Sequence, residues 1–211
     1  MAINAGTRGM SKDYFSHKAH IYEQDNNRVD NVGNIADAIR QQVTLSSQMH
    51  LLDFGSGTGL LLERLAPHVK KITAVDISTS MHQQLAEKQD KLPCELAIIQ
   101  ANLEQEDIDG AFDGIISSMT MHHIRDITAM FAKFRQMLLP GGFIAIADLD
   151  KEDGSFHTDD TGVCHFGFEH QEIAAAARHV GFTAVKIRNV SIARKPHGDY
   201  PVFLLTGQLE Q

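Results

Sequence analysis

The feature that most constrains this chain is the run Leu51-Leu52-Asp53-Phe54-Gly55-Ser56-Gly57-Thr58-Gly59-Leu60-Leu61. It opens apolar, as a buried parallel strand does. It then places glycines at three alternate positions and continues into a helical run through Leu65. Strand, tight turn and helix follow one another in that order. Glycine permits positive φ and removes the Cβ, so a ligand can approach the backbone closely. The start of the following helix adds unpaired N–H groups and a positive dipole end, which suit an anionic group.

The spacing narrows the choice of ligand. A dinucleotide fingerprint is G-x-G-x-x-G. Here Leu60 stands where its third glycine would fall, and Gly59 comes one residue early. This argues against a nucleotide-dependent oxidoreductase. A second apolar run, Ile72-Thr73-Ala74-Val75, ends in Asp76, which lies 21 residues after Gly55. An acidic residue at the end of a second strand, at that distance, can accept hydrogen bonds from a ribose diol.

The rest of the chain alternates in the same way. Val32, Ile35, Ala36, Ile39 and Val43 recur at helical spacing before the first strand, 49–54. A helix over 60–66 stops at Pro67. Strand 72–75 follows, and Ser78 then caps a helix through Lys88. Strands over 92–100 and 112–117, a helix over 127–138, a Pro140-Gly141-Gly142 turn and a strand over 143–149 complete the pattern. After a polar loop come a helix over 169–180, closed by Gly181, and strands over 182–190 and 200–207. Alternating elements predict a doubly wound α/β sheet with helices on both faces and right-handed crossovers. Ligands bind such sheets beyond the carboxyl ends of the strands, where every motif named here sits.

These residues resemble the class I S-adenosylmethionine-dependent methyltransferases. LLDFGSGTG is similar to their first motif and AVDIS to their second. FDGIISSMTMHHI and LLPGGFIAIADLD resemble the strand-four and strand-five motifs of small-molecule enzymes related to the ubiquinone-biosynthesis type. The resemblance covers about Leu51 to Asp150. It implies a Rossmann-like sheet of seven strands, mostly parallel, with the last strand antiparallel. It also implies a single domain over 1–211: an N-terminal arm and helices over the cofactor site (1–48), a cofactor-binding core (49–150), and a substrate-side loop with closing strands (151–211).

The resemblance assigns S-adenosyl-L-methionine as cofactor, S-adenosyl-L-homocysteine as product and a small molecule as methyl acceptor. Asp53, Gly55, Ser56, Gly57 and Gly59 are expected around the methionine part. Asp76 is expected at the ribose, Ile77 and Met81 against the adenine, and Asn102 with Leu103 at the adenine amino group, where the family commonly has Asp. Ser117 and Ser118 are expected beside the sulfonium. Tyr14, Tyr22, Met119, His122 and Asp148 are expected on the substrate side. His122 and His123 are candidate bases, since imidazole titrates in the useful range. Adjacent residues rarely face one pocket, so one of the pair is expected to pack or cap a helix instead. A cofactor-binding protein without catalysis remains the alternative function.

Composition bears on partners. A formal charge of −8 and a pI near 5.8 disfavour nucleic acid and anionic membranes. Lys70-Lys71 and Arg194-Lys195 read as solvated surface. No apolar run approaches the roughly 18–20 residues of a membrane span, and no signal-peptide core opens the chain. A cytoplasmic monomer or homodimer is the resulting expectation. In the loop over 150–167, His157, Asp159, Asp160 and His165 match no compact ligand spacing, so no metal is expected. The acidic residues Asp148, Asp150, Glu152 and Asp153 suggest a loop that selects a cationic acceptor.

Overall fold

The computed structural model describes residues 19–159 and 161–210. Tyr14 and Asp160 lie outside the described residues. Seven strands form one sheet: β1 (His50–Phe54), β2 (Lys71–Asp76), β3 (Glu95–Gln100), β4 (Phe112–Ser118), β5 (Leu138–Leu149), β6 (Thr183–Lys195) and β7 (Gly198–Gln208). Their order is β3-β2-β1-β4-β5-β7-β6. Pairing is parallel from β3 through β5, and β7 runs antiparallel to both β5 and β6. The expected architecture is therefore the observed one.

The helices are α1 (Asn26–Gln42), α2 (Leu60–Leu65), α3 (Thr79–Ala86), α4 (Ile127–Met137) and α5 (His170–His179). Each has a local cause. Asp25 caps α1 by accepting from Asn27 N–H at 3.0 Å, and the buried face Val32, Ile35, Ala36 and Ile39 is the one the periodicity predicts. Ser78 caps α3 through Met81 N–H at 3.2 Å, and Asp126 caps α4 through Ala129 N–H at 2.9 Å.

Two cores lie on opposite faces of the sheet. One gathers Ile35 and Ile39 of α1, Leu61 and Leu62 of α2 and Leu85 of α3 over Leu51 and Ile72. The other gathers Phe131 and Phe134 of α4 and Ile173 of α5 over Leu52, Ile115 and Phe203. Alternate residues of β1 thus feed different cores, as a two-sided sheet requires.

Three boundaries differ from expectation. β3 begins at Glu95 rather than residue 92, because Gln89–Lys91 form a 3-10 turn and Pro93 follows it. The Pro140-Gly141-Gly142 turn sits inside β5, where the pairing passes from Phe112 with Leu138 to Gly114 with Phe143. The last two strands are longer than the hydrophobic runs. Their ladder continues to Lys195 with Gly198, leaving only Pro196 and His197 as the connecting turn. That extension carries the hairpin out to the carboxyl end of β5.

Phe134 is fully buried and meets Phe54 and Phe131 edge to face at 5.2 and 6.2 Å. Phe134→Ala is expected to cost about 3–5 kcal/mol, read as a lower urea midpoint with an unchanged m-value.

Candidate functional site

The strand order reverses between β1 and β4, and the site opens there, beyond their carboxyl ends. The glycine turn after β1 is pinned to β2. Gly55 and Ser56 N–H donate to the Val75 carbonyl at 2.8 and 3.1 Å. Gly57 N–H donates to Asp76 Oδ2 at 2.8 Å, and Ser78 N–H donates to Asp76 Oδ1 at 2.8 Å. One carboxylate thus joins the turn to the start of α3.

The glycines serve different ends. At Gly55, φ is +69°, and a Cβ would meet the Thr120 side chain at 2.2 Å. At Gly57, φ is +53°, and a Cβ would meet nothing within 4 Å. The first makes room for packing, while the second leaves the backbone bare toward the pocket. α2 spans only six residues, so the turn's own N–H groups matter more here than a helix dipole.

A pocket of about 190 Å³ lies above this turn. Asp53, Gly55, Ser56, Gly57 and Thr58 form its floor, Tyr22, Arg28 and Asn31 one wall, and Ser118, Met119, His122 and His123 another. Phe156, His157, Thr161, Arg194 and Lys195 close the far end. Among the described residues, five buried side-chain polar atoms have no hydrogen-bond partner, and four of them line this pocket: Asn31 Oδ1, Asp53 Oδ2, Thr58 Oγ1 and Ser118 Oγ. Such atoms are costly to bury unpaired, so their convergence marks a place built for a polar ligand.

Burial, and then the negative charge of Asp76, push the Asp53 carboxyl up to about 8. Burial also raises Asp76, against which the N–H groups of Ser78 and Gly57 act. The floor is thus a protonated acid that a cationic group would ionise. Tyr22 stacks under the Arg28 guanidinium at 3.9 Å. Burial raises its hydroxyl, Arg28 lowers it and Asp76 raises it again.

His122 is buried, and its Nδ1 lies 2.7 Å from Asp148 Oδ1. The same carboxylate accepts from His122 N–H at 3.2 Å and Leu149 N–H at 2.7 Å. Burial alone would raise Asp148, but the His122 ring and these N–H groups hold it below the ordinary carboxylate range. An ionised Asp148 can only accept, so a proton sits on His122 Nδ1. His122 Nε2 lies 3.1 Å from His157 Nε2.

The structure places several of the expected residues outside the pocket lining. Asp148 is fully buried behind His122 and does not reach the pocket. Asp150 is engaged by His170 at 2.7 Å and Asn189 at 2.6 Å. Glu152 accepts from Gly154 and Phe156 N–H, and Asp153 from Ser155 N–H, within their own loop. None of these four carboxylates lines the pocket. Ser117 is likewise buried, with its hydroxyl donating to the Phe54 carbonyl at 2.7 Å. Met81 and Leu103 are buried outside the pocket lining.

Other candidates are placed nearby or together. Asp76, the exposed Ile77 and Asn102 follow the crevice beyond the pocket, at the ends of β2 and β3. Gly59 takes φ +92° at the start of α2. His122 and His123 do face the same pocket, with ring centroids 4.3 Å apart, because Met121–His123 form a 3-10 turn rather than a strand. Arg194 and Lys195, read as plain surface, line the pocket because the β6–β7 ladder carries them there. His157 arrives from the long loop, which is tied to this turn by Cys164 and His165 N–H donating to the His122 carbonyl.

With this geometry in view, the comparisons are decisive for the family. Residues 52–146 match the profile of the family described as "Methyltransferase domain". The matched stretch is a methyltransferase domain. It is 36% identical over 156 residues to an uncharacterized methyltransferase of Schizosaccharomyces pombe, covering 68% of this chain and 52% of that protein. The chain spans about half the length of the first curated relatives it matches. Among solved structures it resembles a methyltransferase in complex with the Haloferax volcanii Trm112 methyltransferase activator (TM-score 0.76, 16% identity, 95% of this chain and 100% of that one). It also resembles Haemonchus contortus phosphoethanolamine N-methyltransferase 2 in complex with S-adenosyl-L-methionine (TM-score 0.69, 16% identity, 97% and 59%). At these identities the structural likeness establishes the fold. No helix among the described residues is long and apolar enough to cross a membrane.

Because Asp53 holds its proton far more tightly folded than unfolded, its contribution to stability is lost as pH rises from about 4 to about 8. Asp53→Asn is therefore expected to be more stable than wild type at pH 8, by up to about 5 kcal/mol. The gain should vanish near pH 4, as scanning calorimetry at the two pH values will show.

Proposed function

We propose that this chain transfers the methyl group of S-adenosylmethionine to an oxygen, nitrogen or carbon atom of a small molecule. The observation that carries the proposal is the bare Gly57 backbone together with the buried Asp53 Oδ2 that lacks a partner, both in one pocket. An amino-acid tail fits that pairing. Its ammonium would satisfy Asp53, and its carboxylate would meet backbone N–H groups and the hydroxyls of Ser56 and Thr58. Asp76 has acceptor capacity beyond the N–H groups of Gly57 and Ser78, open to a ribose hydroxyl. Adenine would then lie on Ile77, near Asn102, outside the 190 Å³ pocket. Met81, Leu103 and Ser117 would support that surface from beneath.

The sulfonium methyl would point past Ser118 and Met119 toward the histidine end. Methyl transfer needs an in-line nucleophile held at close range in a site without water. Tyr22 and Phe156 help exclude water. His122 Nε2 is the group set to take a proton from an acceptor that must lose one, with Asp148 fixing its tautomer. His123 packs against it as a second, weaker candidate. Arg194 and Lys195 line that end of the pocket, which supports an anionic acceptor. The narrower kinship with ubiquinone-biosynthesis enzymes rests on the strand-four and strand-five stretches alone.

The test is titration with S-adenosylhomocysteine, followed by a panel of acceptors scored for methylated product. Asp76→Ala should weaken the product nucleoside at least about tenfold, the loss of one charge-assisted pair; unchanged affinity would remove the basis of this reading. Binding should also release a proton, because the free protein holds one on Asp53 below about pH 8. Affinity should therefore rise between pH 6 and pH 8 in wild type and stay flat in Asp53→Asn. Calorimetry in two buffers of different ionisation enthalpy measures both.

A further inference from the structure

The three histidines at the acceptor end do more than line a wall. One ring nitrogen from each of His122, His123 and His157 lies within 4.8 Å of the other two. The closest pair, His122 Nε2 and His157 Nε2, is 3.1 Å apart. Two imidazoles on one tetrahedral zinc ion, bound at about 2.0–2.1 Å, place their nitrogens about 3.3 Å apart. The pair is therefore near metal-ligand spacing, and the third ring needs on the order of 1 Å of closure.

The far side of each ring is also engaged. His122 Nδ1 is held by Asp148 at 2.7 Å, His123 Nδ1 by the Gly162 carbonyl at 3.4 Å, and His157 Nδ1 by Thr161 Oγ1 at 3.1 Å. A carboxylate and a carbonyl can only accept, so His122 and His123 carry their protons there and present Nε2 lone pairs. Such outer partners fix the tautomer and orientation of metal-bound histidine. Neutral imidazole is the form that ligates. Asp148 supplies a buried countercharge, which Lys195 partly opposes.

We propose that His122, His123 and His157 bind one divalent transition-metal ion of the zinc type, with its open position facing the methyl-acceptor pocket. Three imidazoles select such ions over magnesium or calcium. Resting on the methyltransferase reading, the donor atom of the acceptor would take that open position. His122 would then act as a ligand, and the ion, instead of its Nε2, would hold and acidify the acceptor. The chain supplies these ligands from a 3-10 turn after β4 and from a loop 35 residues away. No compact sequence motif records that combination.

The test uses the full chain, stripped with chelator and titrated with Co(II) and Zn(II) chlorides. Wild type should take up one Co(II) per chain, with the intense visible bands of a four- or five-coordinate site, and Zn(II) should displace it. His157→Gln and His123→Gln should each weaken uptake at least about 100-fold. Thr161→Val, which keeps every ligand, should weaken it about tenfold; if His157→Gln fails to fold, His123→Gln and Thr161→Val decide. Absence of uptake by wild type, or equal uptake in the variants, overturns the proposal. The 3.1 Å contact would then be an N–H···N hydrogen bond from His157 to His122. S-adenosylhomocysteine binding by the stripped wild type separates the two readings: metal without nucleoside binding defeats the methyltransferase proposal alone, and the reverse defeats this one alone.

Discussion

One carboxylate sets the geometry of the cofactor half. Asp76 accepts from Gly57 N–H and Ser78 N–H, each at 2.8 Å, and so joins the turn after β1 to the cap of α3. Its charge also reaches Asp53 and helps keep that acid protonated. The turn is held open, its backbone is bare at Gly57, and the acid beneath it waits for a cation. The Asp76 bridge acts with the Gly55 and Ser56 contacts to the Val75 carbonyl to offset the freedom that the glycines lose on ordering.

The acceptor half is organised by a second buried carboxylate. Asp148 ends β5 inside the protein, where it orients His122 instead of meeting a ligand. Around that oriented ring gather His123 from the same 3-10 turn, His157 from the long loop and two cations from the hairpin. The two halves follow one rule. A carboxylate that burial alone would neutralise is kept at work by hydrogen-bond donors, and it sets the state of a neighbour that faces the pocket.

Unpaired polar atoms give the pocket its purpose. Asn31, Asp53, Thr58 and Ser118 come from three separate segments, yet all four residues line a single pocket. An ordinary core would have paired them or replaced them with apolar groups. The family match and the fold likeness agree with that site, but the polar convergence is a property of this chain itself.

The sequence by itself determined the sheet, its crossovers and the glycine turn with Asp53 and Asp76. These depend on hydrophobic period and on local turn chemistry, which act within a few residues. Ser78 as a cap and the α1 face were legible for the same reason. Only the tertiary structure decided which groups meet across long separations. It turned Asp148 inward, placed Ser117 behind the wall, and brought Arg194 and Lys195 to the rim through a ladder longer than its hydrophobic run. It also set His157 against His122. Those outcomes follow from strand extension, loop closure and side-chain direction at a 3-10 turn, none of which leaves a periodic trace along the chain.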